Sequence, residues 1–219
     1  MAISKLNFNS LNVTPSASSA IGFDSGADDL ETGSAGGSMV FIKKLTASSS
    51  GTLSFVDGAS SVVLDNTYKE YVFIFNNIHP ATNDVQFEFN LSVDSGSNYN
   101  VTKTSTFFFA YHNEADNQTG LIYSTDHDLA QSTAFQRLLG GIGNDNDQTA
   151  VGTLHLFNPS STTFVKHFIA HTSEYNANDY NNNTFVAGYG NTTSAVDAVQ
   201  FKMSSGEIQG GTITLYGIT

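Results

Sequence analysis

The chain has 219 residues, 39% of them hydrophobic and 13% charged, with 8 Lys+Arg against 20 Asp+Glu and a net charge of −12. Nucleic acid is held mainly through Lys and Arg, so one arginine (Arg137) and scattered lysines exclude a phosphate-backbone partner, and the acidity disfavours anionic membrane surfaces. The lack of Cys excludes disulfides, thiolate zinc sites and cysteine nucleophiles.

The length suits one all-β core. Its apolar content leans to Phe (17) and Tyr (9), residues that suit pleated, half-buried surfaces. Residues 1–38 read as an extended N-terminal anchoring arm. The tracts Ser16–Ser19 and Thr32–Ser38 bury too little apolar surface to offset their ordering entropy. A neighbouring subunit is the expected partner that orders the arm; packing along its own domain is the alternative. Met1–Thr14 carries no apolar segment of the secretory kind, so synthesis in a cytoplasm is expected, and no apolar run approaches the length of a membrane span.

Residues 39–219 read as a β-sandwich domain. Met39–Thr46 opens it, and Gly51–Val56 alternates into Asp57-Gly58, a hairpin-type turn. Tyr71–Phe75 is continuously apolar, as expected of a central strand covered on both faces. Val85–Val93 alternates, with Val85, Phe87, Phe89, Leu91 and Val93 facing in and Gln86, Glu88, Asn90 and Ser92 facing out. Thr106–Tyr111, Gly120–Ser124 and Thr133–Leu139 follow, although Asp128–Leu139 also fits a short helix. Val151–Phe157 and Thr163–His171 join through the turn Asn158-Pro159-Ser160-Ser161. Phe185–Gly190, Val196–Met203 and Gly211–Ile218 complete about ten strands, a spacing found in sandwiches and jelly rolls. The expected fold is an all-β, jelly-roll-like antiparallel β-sandwich with the extended N-terminal arm.

Residues able to carry chemistry are few. His167 and His171 have the i, i+4 spacing of helical metal ligands, but on a strand they lie on the order of 13 Å apart. Asp126-His127-Asp128 and Asn144–Asp147 collect oxygen ligands without EF-hand spacing and read as solvated acidic loops. There is no Gly-x-Ser-x-Gly elbow. Gly140–Gly143 reads as a turn rather than a phosphate cradle. The expectation is therefore no catalytic residue, no metal and no cofactor. Glu174–Tyr189 interleaves tyrosines with amides and reads as a polar loop. Its Tyr175, Asp179, Tyr180 and Asn181 are the candidate glycan-binding residues, the rings for stacking and the amide and carboxylate for hydroxyl groups.

The C-terminal Val199–Ile218 (VQFKMSSGEIQGGTITLYGI) resembles the closing strands of bacteriophage virion proteins. Ser50–Phe75, with Ile78-His79-Pro80, resembles the front of the same module, of marine and cyanophage type. The resemblance implies a non-enzymatic virion structural protein assembled in the host cytoplasm. Its partners would be other virion proteins and copies of itself, most simply as a trimer, together with host cell-surface glycan. A tail-fibre or host-recognition module is the preferred placement, a capsid decoration or knob protein the alternative, and a polysaccharide depolymerase the remote third.

Overall fold

The computed structural model describes residues 38–219 throughout and, before them, only the backbone of 20–23 and 30–33. The chain divides into two units, Met1–Ser38 and Met39–Thr219. In the first, β1 (Ala20–Phe23) and β2 (Leu30–Gly33) pair antiparallel. The expectation that an anchoring arm is ordered by a neighbour otherwise falls outside the described residues.

The second unit holds twelve strands and no helix. In chain order they are β3 (Met39–Thr46), β4 (Leu53–Val56), β5 (Glu70–Pro80), β6 (Phe87–Ser92), β7 (Lys103–Asn113), β8 (Thr119–Tyr123) and β9 (Gln136–Arg137). There follow β10 (Ala150–Phe157), β11 (Lys166–Tyr175), β12 (Tyr180–Gly190), β13 (Ala198–Met203) and β14 (Ile208–Ile218). They form an eight-stranded sheet, β3-β14-β5-β10-β11-β12-β7-β8, and a four-stranded one, β4-β13-β6-β9. Every pairing is antiparallel.

The order is that of a jelly roll. Leaving aside β7–β8 and β11–β12, first pairs with last (β3 with β14), second with second-last (β4 with β13), third with β10 and fourth with β9. The two remaining pairs are hairpins inserted into the roll, and they extend the large sheet by four strands on one side. They carry the candidate site.

The core is aromatic. Phe201 of β13 lies 5.3–6.3 Å, centroid to centroid, from Phe55, Phe73, Phe75, Phe87 and Phe89, and so joins the two sheets. Phe89 and Phe168 make a second edge-to-face bridge at 5.1 Å. Tyr71–Phe75 lies in β5, between β14 and β10 as a central strand should, with Tyr71, Val72, Phe73 and Phe75 all buried.

Four local readings are corrected. Glu88, Asn90 and Ser92 do not face solvent, because the stretches 94–103 and 129–137 cross the outer face of β6. Asn90 Nδ2 donates to the carbonyls of Tyr99 (2.7 Å) and Thr133 (3.0 Å), and Lys103 Nζ donates to Asn90 Oδ1 (2.5 Å) and Val101 O (2.8 Å). The inward set also stops short of Val93, which is 38% exposed beyond the end of the strand. The turn at Asp57-Gly58 forms, with Gly58 at φ +74, but it closes no hairpin: the chain crosses to the other sheet, and β4 pairs with β13 instead. Within Asp128–Leu139 there is neither a helix nor a full strand, only the two-residue β9. The loop expected over Glu174–Tyr189 is strand at both ends, leaving Asn176–Asp179 as a tight hairpin turn.

Candidate functional site

Alternation along β11, β12 and β7 decides which side chains share a face of the inserted hairpins. Glu174 pairs with Asn182, and Tyr175 with Asn181. Tyr175 and Asn181 therefore point to the outer face and Glu174, Asn182 and Tyr180 to the side facing the small sheet. Of the four sequence-derived residues, Tyr175, Tyr180 and Asn181 line one depression at the hairpin end, and Asp179 sits in its turn. Tyr175 donates its hydroxyl to Asp179 Oδ1 (3.3 Å), and Asn181 Oδ1 accepts from Ser173 Oγ (3.1 Å). The neighbouring carboxylates of Glu114 and Asp179 push the Tyr175 phenol up to about 12, so it remains a donor. Asp179 occupies the turn at φ +60, and its carbonyl accepts from Glu114 N–H (3.0 Å). These three brace the hairpin end, beside an outer depression of about 420 Å³ lined by Tyr175 and Asn181 together with Tyr180, Glu174, His112, Asn113 and Ser173.

Tyr180 also takes part in a second assembly. On the inner side of β12, β7 and β8 runs a groove of about 300 Å³. Phe109, Tyr111, Ile122 and Tyr180 supply its apolar walls, with Gln118, Asn176, Asn182, His127 and Gly140 between them. Gly120 shapes it: a Cβ there would meet Tyr111 Cε1 at 2.6 Å, so only glycine lets the Tyr111 ring lie flat across β8. Tyr180 stands nearly perpendicular to that ring (5.6 Å, 70°), and its hydroxyl donates to Gln118 Oε1 (2.6 Å). The result is one ring lying along the sheet and one forming a wall.

The polar groups are held from behind. Glu174 is buried, and its Oε1 accepts from Gly140 N–H and Gly141 N–H (3.0 Å each) and from Asn182 Nδ2 (2.7 Å). The Gly140–Gly143 segment, extended rather than the expected turn, thus cradles a carboxylate of its own chain through the N–H groups of Gly140 and Gly141. Burial pushes that carboxyl up to about 7. With Asn182 Nδ2 engaged, its Oδ1 remains as an acceptor; with Gln118 Oε1 engaged, its Nε2 remains as a donor. Burial, then the Arg137 charge, lower the His127 pKa and favour the neutral ring. No Lys or Arg lines the groove. Rings, one acceptor and one donor without a fixed charge can hold a neutral polyhydroxylated ligand: its C–H faces meet the electron-rich ring faces while the amides take its hydroxyls.

The outer face also carries rings, in another arrangement. His171, Phe185 and Phe108 lie on adjacent strands and stack nearly parallel, at 4.3 Å and 5.3 Å with interplanar angles of 10° and 12°. Their faces are spent on one another, so this ladder stabilises the sheet and presents only ring edges. His167 and His171 do share this face, as strand geometry requires. Among the described residues no three His, Cys, Asp or Glu side chains are grouped to hold a metal.

Asn182 is one of the amides of the Glu174–Tyr189 segment, but Tyr111, Gln118 and Glu174 were not singled out in the sequence. Gly120 was the available signal, since glycine inside an apolar strand marks a close approach. No family model, curated protein or solved structure matches the chain.

Proposed function

We propose that this chain is a non-enzymatic structural component of a bacteriophage particle, a tail-fibre or host-recognition module that holds a neutral cell-surface glycan in the groove between Tyr111 and Tyr180. The observation that carries the reading is the Tyr111 ring laid flat on Gly120 beside the uncharged amides of Gln118 and Asn182. Two further features support it: the sequence resemblance to virion proteins, and the separate unit Met1–Ser38, which suits an anchor that joins the body to the particle. A single groove of this kind binds weakly, with net hydrogen bonds near 1 kcal/mol each, so useful adhesion needs several copies presented together.

The capsid-decoration reading is favoured by one observation, the exposed apolar side chains Val151, Ile169 and Leu121 on the outer face, which suit burial against other subunits.

Glycan-array binding of the purified chain tests the recognition reading. Tyr111→Ala and Tyr180→Ala are each expected to weaken the bound glycan about three- to tenfold, the range for one aromatic stack. Tyr175→Ala, on the opposite face, is expected to leave binding unchanged. Equal losses for Tyr175→Ala and Tyr180→Ala would return the site to the hairpin tip, and release of reducing sugar would overturn the non-enzymatic assignment.

A further inference from the structure

The two edges of the eight-stranded sheet are built differently. An edge strand exposes unpaired N–H and C=O groups, and chains that must stay apart blunt their edges with lysines, proline or bulges. Strand β3 has two such devices. It carries Lys43 and Lys44, and its ladder with β14 shifts register between Leu215 and Tyr216. Strand β8, reading TGLIY, has neither charge nor proline, and its register with β7 runs unbroken from Phe108↔Tyr123 to His112↔Thr119. Leu121 is 73% exposed, Tyr123 52% and Ile122 42%, so apolar side chains project from both faces of an open edge. The apolar row leading to it, His171, Phe185 and Phe108, ends at Tyr123 on that same edge.

We propose that β8 is a self-association edge, pairing antiparallel with the β8 of a second copy of this chain about a two-fold axis near Leu121, so that the two large sheets run on into one. Three arguments select a second copy as the occupant. Antiparallel edge pairing is self-complementary, so one strand supplies both halves of an isologous contact. Lysines and a bulge guard the other edge, which disfavours the head-to-tail β8-to-β3 contact that would build rings or fibres. And with the axis at Leu121 the two Leu121 side chains, each 73% exposed in a single copy, cover one another. In such a pair the acidic flank Glu114 and Asp116 of each copy lies beside the acidic flank Asp126 and Asp128 of the other, so salt is expected to tighten it.

Sedimentation of the full chain over a range of concentrations, at low and moderate salt, tests this. The expected result is a monomer–dimer equilibrium that shifts to dimer as salt rises. Leu121→Lys places like charges at the centre of the contact twice over, and is expected to weaken association at least about tenfold. Phe41→Lys, on the guarded edge, is expected to leave it unchanged. Circular dichroism identical to the parent confirms that each variant folds. Hydrogen exchange supplies a second readout: the β8 amides are expected to be protected in concentrated but not dilute samples. A chain that stays monomeric at all concentrations, one that forms trimers, or a dimer that survives Leu121→Lys would each overturn the proposal.

Discussion

Phe201→Ala is expected to cost about 3–5 kcal/mol of folding free energy, the range for removing a fully buried aromatic side chain from a packed core. Phe201 has no exposure and meets five other phenylalanines, two on β5 of the large sheet and three on the small sheet. Those neighbours belong to strands pinned by their own ladders, so they cannot collapse into the space, and the cavity term adds to the lost transfer energy. For a domain of this size the loss corresponds to a fall in melting temperature of roughly 10 °C or more. Phe164→Ala is the control: that ring is 68% exposed, and its removal is expected to stay within about 0.5 kcal/mol. Urea unfolding of both variants makes the comparison. A cost below about 1 kcal/mol for Phe201→Ala would mean that the sheets are not joined through this ring.

The second large effect is in pH. Two buried groups with opposite charge types titrate near neutrality in the folded chain. Desolvation pushes the Glu174 carboxyl up to about 7 and the Lys103 ammonium down to about 7. For Glu174 the folded value is raised, so its contribution is fully present below the unfolded value near 4.5 and is lost as pH rises through about 7. For Lys103 the folded value is depressed. Between about 7 and 10.5 the unfolded chain therefore holds the extra proton, and stability rises with pH across that window. The two limbs meet in a minimum of stability near pH 7, each side climbing by roughly 3–5 kcal/mol at most.

Glu88, raised by burial, and Lys166, lowered by burial, act in the same two senses. Above about pH 10 the rise is cut short by Tyr71, whose phenol burial pushes up to about 12. Urea midpoints between pH 5 and pH 10 trace the profile. Glu174→Gln is expected to flatten the acid limb and Lys103→Met the alkaline limb. A maximum near pH 7 in the parent chain would refute the assignment of both groups.

How much of this was legible beforehand follows from which interactions are local. Alternation and turn chemistry act within a few residues, so β3, β5, β10 and the turn at Asn158–Ser161 lie where the pattern places them. The all-β class and the sandwich expectation rest on the same local signals, whereas Gly140–Gly143, read as a turn, is an extended segment bridged to Val85 and Asn176 through Ile142. Tertiary structure decided what depends on distant segments. Alternation marks the two faces of β6 but cannot tell that 94–103 and 129–137 will cover the polar one, because that cover comes from elsewhere in the chain. The sequence brings Tyr175 and Tyr180 together as neighbours five residues apart, and strand pairing roots them on opposite faces, yet both line the depression at the hairpin end. The groove itself joins residues 109 to 182 of the chain through two inserted hairpins and the 127–140 segment. Only the closing of the jelly roll, which buries the aromatic faces of both sheets against each other, brings Tyr111, Gln118, Tyr180 and Asn182 to one place.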